Sequence, residues 1–281
     1  RIVAVRDPLP APDDLKPSSA AIEPGEMPSE ADLGIPPFEA DPRAGLVYRG
    51  GESAALQRLH EFLWETEAVA DYCRNRSHLQ GQMKSSRFSP WLAQGCLSPK
   101  KVYSELKKYE AEKGGQNQST YAIFYELMYR DFLRLMGKKH GNKIFLKGGM
   151  KEEPLEGLKD ERALLNLWVE GRTGVPFIDA NMRQLALTGY ISHQGRTNVA
   201  NFLVKDLKVN WQMGGEYFES VLVDYDPCSN WVNWNFLVGL GCDGRDDKYL
   251  NILSQARKYD PDGAYVKRWL PELAEVPADK V

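Results

Sequence analysis

The sequence has no C-x-x-C pair, no His/Cys cluster, no marked charge excess and no long apolar run, and each absence removes a class of function. Its four cysteines, Cys73, Cys96, Cys228 and Cys242, stand far apart, and its four histidines, His60, His78, His140 and His193, show neither a zinc-helix spacing nor a cysteine neighbour set. A structural metal is therefore not expected, and an intracellular, reducing compartment is. No stretch approaches the roughly 18 apolar residues that cross a bilayer, so no membrane span is expected. A net charge of −3 argues against polyanion binding by the whole surface, although a local basic groove is invisible in that sum. No internal repeat stands out, which disfavours a solenoid.

What is present begins with 281 residues, 42% of them hydrophobic, enough for a substantial core. Nine of the 17 prolines fall between Pro8 and Pro42, in a segment without helical or strand period, so residues 1–48 read as a linker. The chain begins with Arg1, and the strand-like valines of "RIVAVRDPLP" lead straight into the prolines, so an upstream piece and any targeting peptide are expected to lie outside it.

From residue 49 to 281 the period is helical. Leu56, Leu59 and Phe62/Leu63 recur every three to four residues, as do Tyr121, Phe124, Leu127/Met128 and Phe132, with Gly137 expected as the C-cap of the second set. Ser89-Pro90 and Ser98-Pro99 carry helix-start signals. "DERALLNLWVEG", "VPFIDANMRQLALTG", "RTNVANFLVKDLKV" and "GGEYFESVLVD" add further helices between short glycine-bearing turns. The expected fold is all-α, an irregular helical bundle.

Gly239-Leu240-Gly241-Cys242-Asp243-Gly244 matches G-x-G-x-x-G, but it follows "NWNFLV" without a βαβ unit, so a helix end is expected there and not a nucleotide loop. "KSSRFSPWLAQGCLSP" gathers Ser85, Ser86 and Ser89 around Arg87 ahead of a helix start, which fits a serine-rich cap or an anion site. Glu126 and Arg130 share a helix face, and Arg196 and Asn198 flank apolar positions; each alone fits an ion pair or a satisfied helix polar group. "VDYDPCSNWVNWNF", Val223 to Phe236, packs two acids, three asparagines and two tryptophans into one glycine-free stretch.

Together these segments resemble the FAD-binding domain of the cryptochrome/photolyase family, in its DASH-type branch. "PLPAPDDLKP" and "GEMPSEADLG" resemble that branch's interdomain linker and "YRGGESAALQRL" the start of its helical domain. "SSRFSPWLAQGCLSP", "GRTGVPFIDANMRQL", "NFLVKDL", "DYDPCSNW" and "KYDPDGAYVKRWLPEL" carry the rest. The resemblance implies FAD as cofactor, with the α/β antenna domain absent from this chain. It implies FAD contacts at Tyr72, Ser85, Ser86, Phe88 and Ser89, at Arg130, Asp179, Asn181 and Arg196, and at Asp224, Asp226 and Asn230, the last facing N5 of the flavin ring. Trp234 corresponds to the tryptophan nearest the flavin in the family's electron relay and Trp211 to the second, although both would also suit a core. Glu126, Tyr129, His193, Gln194, Thr197 and Phe236 fall on the expected substrate side. Some plant and algal members are imported into chloroplasts or mitochondria, so that setting is also open.

The chain departs from the branch as well. Leu158 falls where the outer relay tryptophan is expected, which implies weak or rerouted photoreduction. Tyr129 replaces tryptophan, His193-Gln194-Gly195-Arg196-Thr197 replaces Asn-Arg-Gly-Arg-Gln, and Phe236 replaces tyrosine. Val232 replaces glycine, with added bulk expected near the flavin entrance. Loss of a phosphate-binding arginine at Gln194 would lower the salt-dependence slope by about 0.9. Three readings follow. One is a light-dependent lyase for cyclobutane pyrimidine dimers in single-stranded DNA; one is a flavin photoreceptor; one is a relaxed photolyase-like subunit held by protein partners.

Overall fold

The computed structural model describes residues 5–17, 20, 23, 25–241, 248–277 and 280. Their regular structure is helical, and the one β contact is an isolated bridge between Lys159 and Val209. No helix among them is long and apolar enough to cross a membrane, and no His/Cys/Asp/Glu group among them could hold a metal ion. Cys242, Asp243 and Gly244, the last three residues of the G-x-G-x-x-G match, lie outside the described set; Gly239 ends a helix at φ 81°.

Two packed cores organise the chain. The first is built by α1 (Glu52–His60), the π turn Glu61–Glu65, α2 (Tyr72–Asn75), α3 (Ser89–Ala93) and α4 (Pro99–Glu112), around Phe62, Leu63, Phe88 and Leu106. The second is larger and is built by α6 (Arg162–Val169), α7 (Pro176–Thr188), α8 (His193–Lys205), α9 (Trp211–Val221), α10 (Pro227–Leu237), α11 (Ile252–Tyr259) and α12 (Ala264–Trp269), around Trp168, Met182, Leu203 and Trp211. The long helix α5 (Gln118–His140) joins them, giving Ala122 and Ile123 to the first core and Leu133 and Met136 to the second.

α5 starts at a capping box, in which Asn117 accepts from the Ser119 and Thr120 N–H groups while the Thr120 hydroxyl accepts from the Asn117 N–H. It does not stop at Gly137. The helix runs on through Lys138, Lys139 and His140 to Gly141, and Gly137 is buried where α10 crosses, since a Cβ there would sit 2.5 Å from Cys228 Sγ. One face of α5 is turned outward, where Tyr121, Tyr125, Met128 and Leu135 are exposed.

The helix starts obey the expected proline rule only in part. Ser98 is the N-cap of α4 without a side-chain cap bond, whereas α3 already includes Ser89 and is flanked by Phe88. α7 ends as expected, with Gly189 in the left-handed region at φ 66°.

Residues 25–50 form turns but no helix, and they are pinned at two points. Arg43 stacks over Trp269 at 4.6 Å and exchanges side-chain-to-carbonyl hydrogen bonds with Arg268. Tyr48 lies against Trp91 and Tyr190, with ring centroids 5.4 and 5.6 Å away.

Candidate functional site

A cavity of about 860 Å³ opens at the seam of the two cores, walled by α2, α3, α5, α8, α10 and the 76–88 loop. Its lining mixes Phe88, Leu92, Phe218 and Trp234 with charged and amide side chains, the composition of a site for an amphipathic, partly anionic ligand.

The loop that carries Ser85 and Ser86 is held from behind. The buried Arg58 guanidinium donates to the carbonyls of Gln82, Ser85 and Ser86 at 2.8, 3.1 and 3.1 Å, and to Glu61 at 2.8 Å. Those carbonyls are thereby satisfied, and the serine hydroxyls remain for the cavity. Arg87 sits in the same loop at φ 57°, a conformation costly for a residue with a Cβ. Its guanidinium lies 4.4 Å over the Tyr190 ring, and Arg196 lies 5.3 Å from the same ring.

Arg196 also donates to Asp224 at 2.8 Å. Burial works against its charge, but Asp224 and the neighbouring Tyr190 and Tyr48 phenols together hold the guanidinium above its ordinary range. Asp224 is almost wholly buried. Asp226 caps α10, accepting from Ser229 N–H at 2.8 Å, with Arg134 at 3.4 Å. Burial raises its carboxyl, yet the Ser229 bonds and Arg134 together leave it below the usual range. Arg130 donates to the Leu92 carbonyl at 3.0 Å, and burial beside Arg134 lowers its guanidinium.

One turn into α10, Asn230 donates its amide to the Gly215 carbonyl at 3.1 Å, which leaves the side-chain oxygen as the available acceptor. Trp234, one turn further, lines the cavity and meets Phe218 edge-on at 5.3 Å. On the opposite wall Glu126 accepts from Tyr72 at 2.5 Å and from Arg76 at 3.0 Å. Burial and then the Glu126 charge drive the Tyr72 phenol far up, so Tyr72 is a donor at any working pH. Tyr129, bonded to Asn233 at 3.2 Å, and Phe236, together with His193, Gln194 and Thr197, complete the outer part of the lining.

Thus Tyr72, Ser85, Ser86, Phe88, Ser89, Arg130, Arg196, Asp224, Asp226 and Asn230 share one cavity with Glu126, Tyr129, Phe236 and Trp234. Four expected positions do not line it. Asp179 accepts from Thr173 N–H and Oγ1 and from Gly174 N–H at 2.6 to 3.0 Å, tying down the loop before α7. Asn181 is fully buried behind α8, where it bonds the Phe177 carbonyl and the Tyr265 hydroxyl, and a Cβ on Gly195 would touch it. Trp211 is buried a layer back, edge-on to Trp231 at 5.9 Å. Val232 points into the second core at 0% exposure, so its bulk does not narrow the cavity entrance.

Sequence reasoning missed Arg58 and Tyr190, and it placed Arg87 beside the serines without naming it as a wall residue. Nothing in the spacing of Arg58 announces a contact 24 to 28 residues away.

Residues 123–281 match a family model described as the FAD binding domain of DNA photolyase. The whole chain is 46% identical to a cryptochrome DASH of Gloeobacter violaceus, covering 56% of that protein, and 97% of it is 46% identical to the cryptochrome DASH of Xenopus laevis, covering 52%. The crystal structure of a Synechocystis cryptochrome superposes with a TM-score of 0.85 at 45% identity, over 90% of this chain and 52% of that one. The chain therefore spans about half the length of the relatives it matches.

The cavity fits FAD on its own evidence. Asp224 Oδ1, Arg87 Nε and Arg130 Nη1, all on wall residues, are buried without a hydrogen-bond partner. Cationic Arg87, Arg130 and Arg196 suit a pyrophosphate, carboxylates suit sugar hydroxyls, and the apolar and aromatic wall suits a flavin ring.

Proposed function

The chain belongs to the photolyase/cryptochrome family through its FAD-binding domain, and from that premise we propose that it serves light-driven electron transfer to cyclobutane pyrimidine dimers in single-stranded DNA. When bound, reduced FAD supplies a low-potential electron on absorbing blue light. The rest of the task falls to the side chains. Ser85, Ser86, Ser89 and Tyr72 hold the pyrophosphate side, while Asp224, paired with Arg196, holds sugar hydroxyls. Asn230, its amide nitrogen committed to Gly215, offers an oxygen suited to a ring nitrogen that carries a proton. Glu126 receives the flipped dimer's polar edge, and Tyr129 and Phe236 flank it with aromatic surface.

The observation that carries this reading is the continuity of the cavity: Glu126 bonds directly to Tyr72, so the substrate-side acid and the cofactor-side phenol share one wall. The test is illumination of the chemically reduced, FAD-loaded protein with dimer-containing single-stranded DNA. Restoration of intact pyrimidines in wild type and its loss in Glu126→Ala support the reading, and no restoration with FAD bound retires it.

Gln194 and Phe236 favour a second reading, a photolyase-like subunit whose grip on DNA has relaxed. It requires a stable protein partner on native purification, and a clean monomer at cellular concentration counts against it.

A further inference from the structure

Three polar groups beside α10 converge in a way that neither cofactor binding nor packing requires. The Trp231 indole N–H donates to Glu219 Oε2 at 2.8 Å and to Tyr225 Oη at 3.3 Å. The Tyr225 hydroxyl and the Glu219 carboxylate thus meet at one indole N–H; burial and then that carboxylate push the phenol up to about 12. Trp231 is nearly buried, Tyr225 is half-buried and Glu219 is exposed on α9, so the cluster runs from the core to solvent within one set of contacts.

On its inner side this cluster joins the other indoles. The Trp231 ring meets Trp211 at 5.9 Å, and it packs on Gly215 while Trp234 packs on the preceding residue, Gly214. An indole on the cavity wall, two indoles behind it and a phenol that shares an indole N–H with a surface carboxylate thus lie around one short stretch of α9. Leu158, which is packed against the second core, supplies no oxidisable ring.

We propose that Tyr225, with Glu219 as its proton acceptor, is the terminal one-electron donor of this aromatic cluster, reached through Trp231. The proposal rests on the light-driven reading above for its natural oxidant, an excited oxidised flavin acting through Trp234. In the step, an oxidised indole at Trp231 gains one electron from the Tyr225 phenol. The phenolic O–H bond breaks as that electron leaves, and its proton passes to the Glu219 carboxylate, which shares the Trp231 N–H with the phenol. The products are a neutral Tyr225 phenoxyl, a protonated Glu219 and a restored Trp231. Without a base in contact, oxidation of the phenol would strand a strongly acidic cation, so Glu219 is what makes Tyr225 a usable donor. Its exposure then lets the proton exchange with water.

Pulse radiolysis with the azide radical, which oxidises indoles directly, tests the step on the purified chain whether or not flavin is bound. Decay of the indole radical and growth of the phenoxyl radical are followed by their separate absorption bands. In wild type a phase couples the two; it disappears in Tyr225→Phe and in Trp231→Phe. In Glu219→Gln, a surface change that keeps hydrogen-bonding capacity, the phase slows by ~100-fold, the low end of what a positioned base contributes. An unchanged phase in Tyr225→Phe, or in folded Glu219→Gln, overturns the proposal. A chain that fails to repair dimers but keeps this phase would reject the repair reading and leave the relay standing.

Discussion

Gly214 and Trp234 occupy each other's space: a Cβ built on Gly214 would lie 2.5 Å from Trp234 Cη2 and equally close to Leu203 Cδ2. Glycine at this point of α9 is what lets α10 bring the Trp234 ring to the cavity wall. Gly214→Ala is expected to cost about 1–3 kcal/mol through overpacking. Because the displaced ring moves toward the cavity, FAD content should fall even in protein that remains folded. Urea unfolding and the flavin-to-protein absorbance ratio measure the two effects separately.

Asp224 and Arg196 form the most buried ion pair of the cavity wall. Asp224→Ala leaves the guanidinium without its partner, and breaking such a pair costs about 3 kcal/mol or more. FAD affinity is expected to drop at least tenfold, whereas Asp224→Asn should recover stability better than affinity. Thermal melts and flavin titration of the two variants check this.

Asp226 gives the fold a defined acid limb. Its folded carboxyl lies below the ordinary range, because the Ser229 bonds and Arg134 outweigh burial. Its charge therefore contributes stability above the unfolded value of about 3.9 and loses that contribution as pH falls through the lower folded value. Asn can also cap a helix, so Asp226→Asn isolates the charge. The stability gap between wild type and this variant should be constant from neutral pH down to the unfolded value and close below it, as read by denaturation at a series of pH values.

Asp179 separates a structural acid from a cofactor acid. Its carboxylate is occupied by Thr173 and Gly174, so Asp179→Ala is expected to lose about 1.5–3 kcal/mol from bonds to a charged group. FAD affinity, measured where the variant is fully folded, should stay within about twofold of wild type, because the residue does not line the cavity. A large affinity loss without a stability loss would return Asp179 to the cofactor set.

The amino-acid sequence determined a good deal unaided. Helical periods, glycine and proline punctuation and the absence of metal spacings define an all-α chain, because amphipathic faces and caps are local properties written within a few residues. Ordered motifs such as "SSRFSPW" and "DYDPCSNW" also marked two stretches of the cavity wall, since each is a contiguous turn-plus-helix start that carries its polar groups with it.

Only the tertiary structure decided which of those groups reach the cavity. Asp179 and Asn181 sit in a motif of the right kind, but α7 passes behind α8, and that layering turns them to the loop and to Tyr265. Gly137 has the composition of a helix end, yet it is the notch in which Cys228 seats, so α5 continues. Arg58 is an ordinary helical arginine until the fold brings the 82–86 carbonyls to it. Trp231 looks like core until Glu219 and Tyr225 meet at its N–H. Depth, layering and long-range hydrogen bonding are relations between distant segments, and local sequence rules carry no information about them.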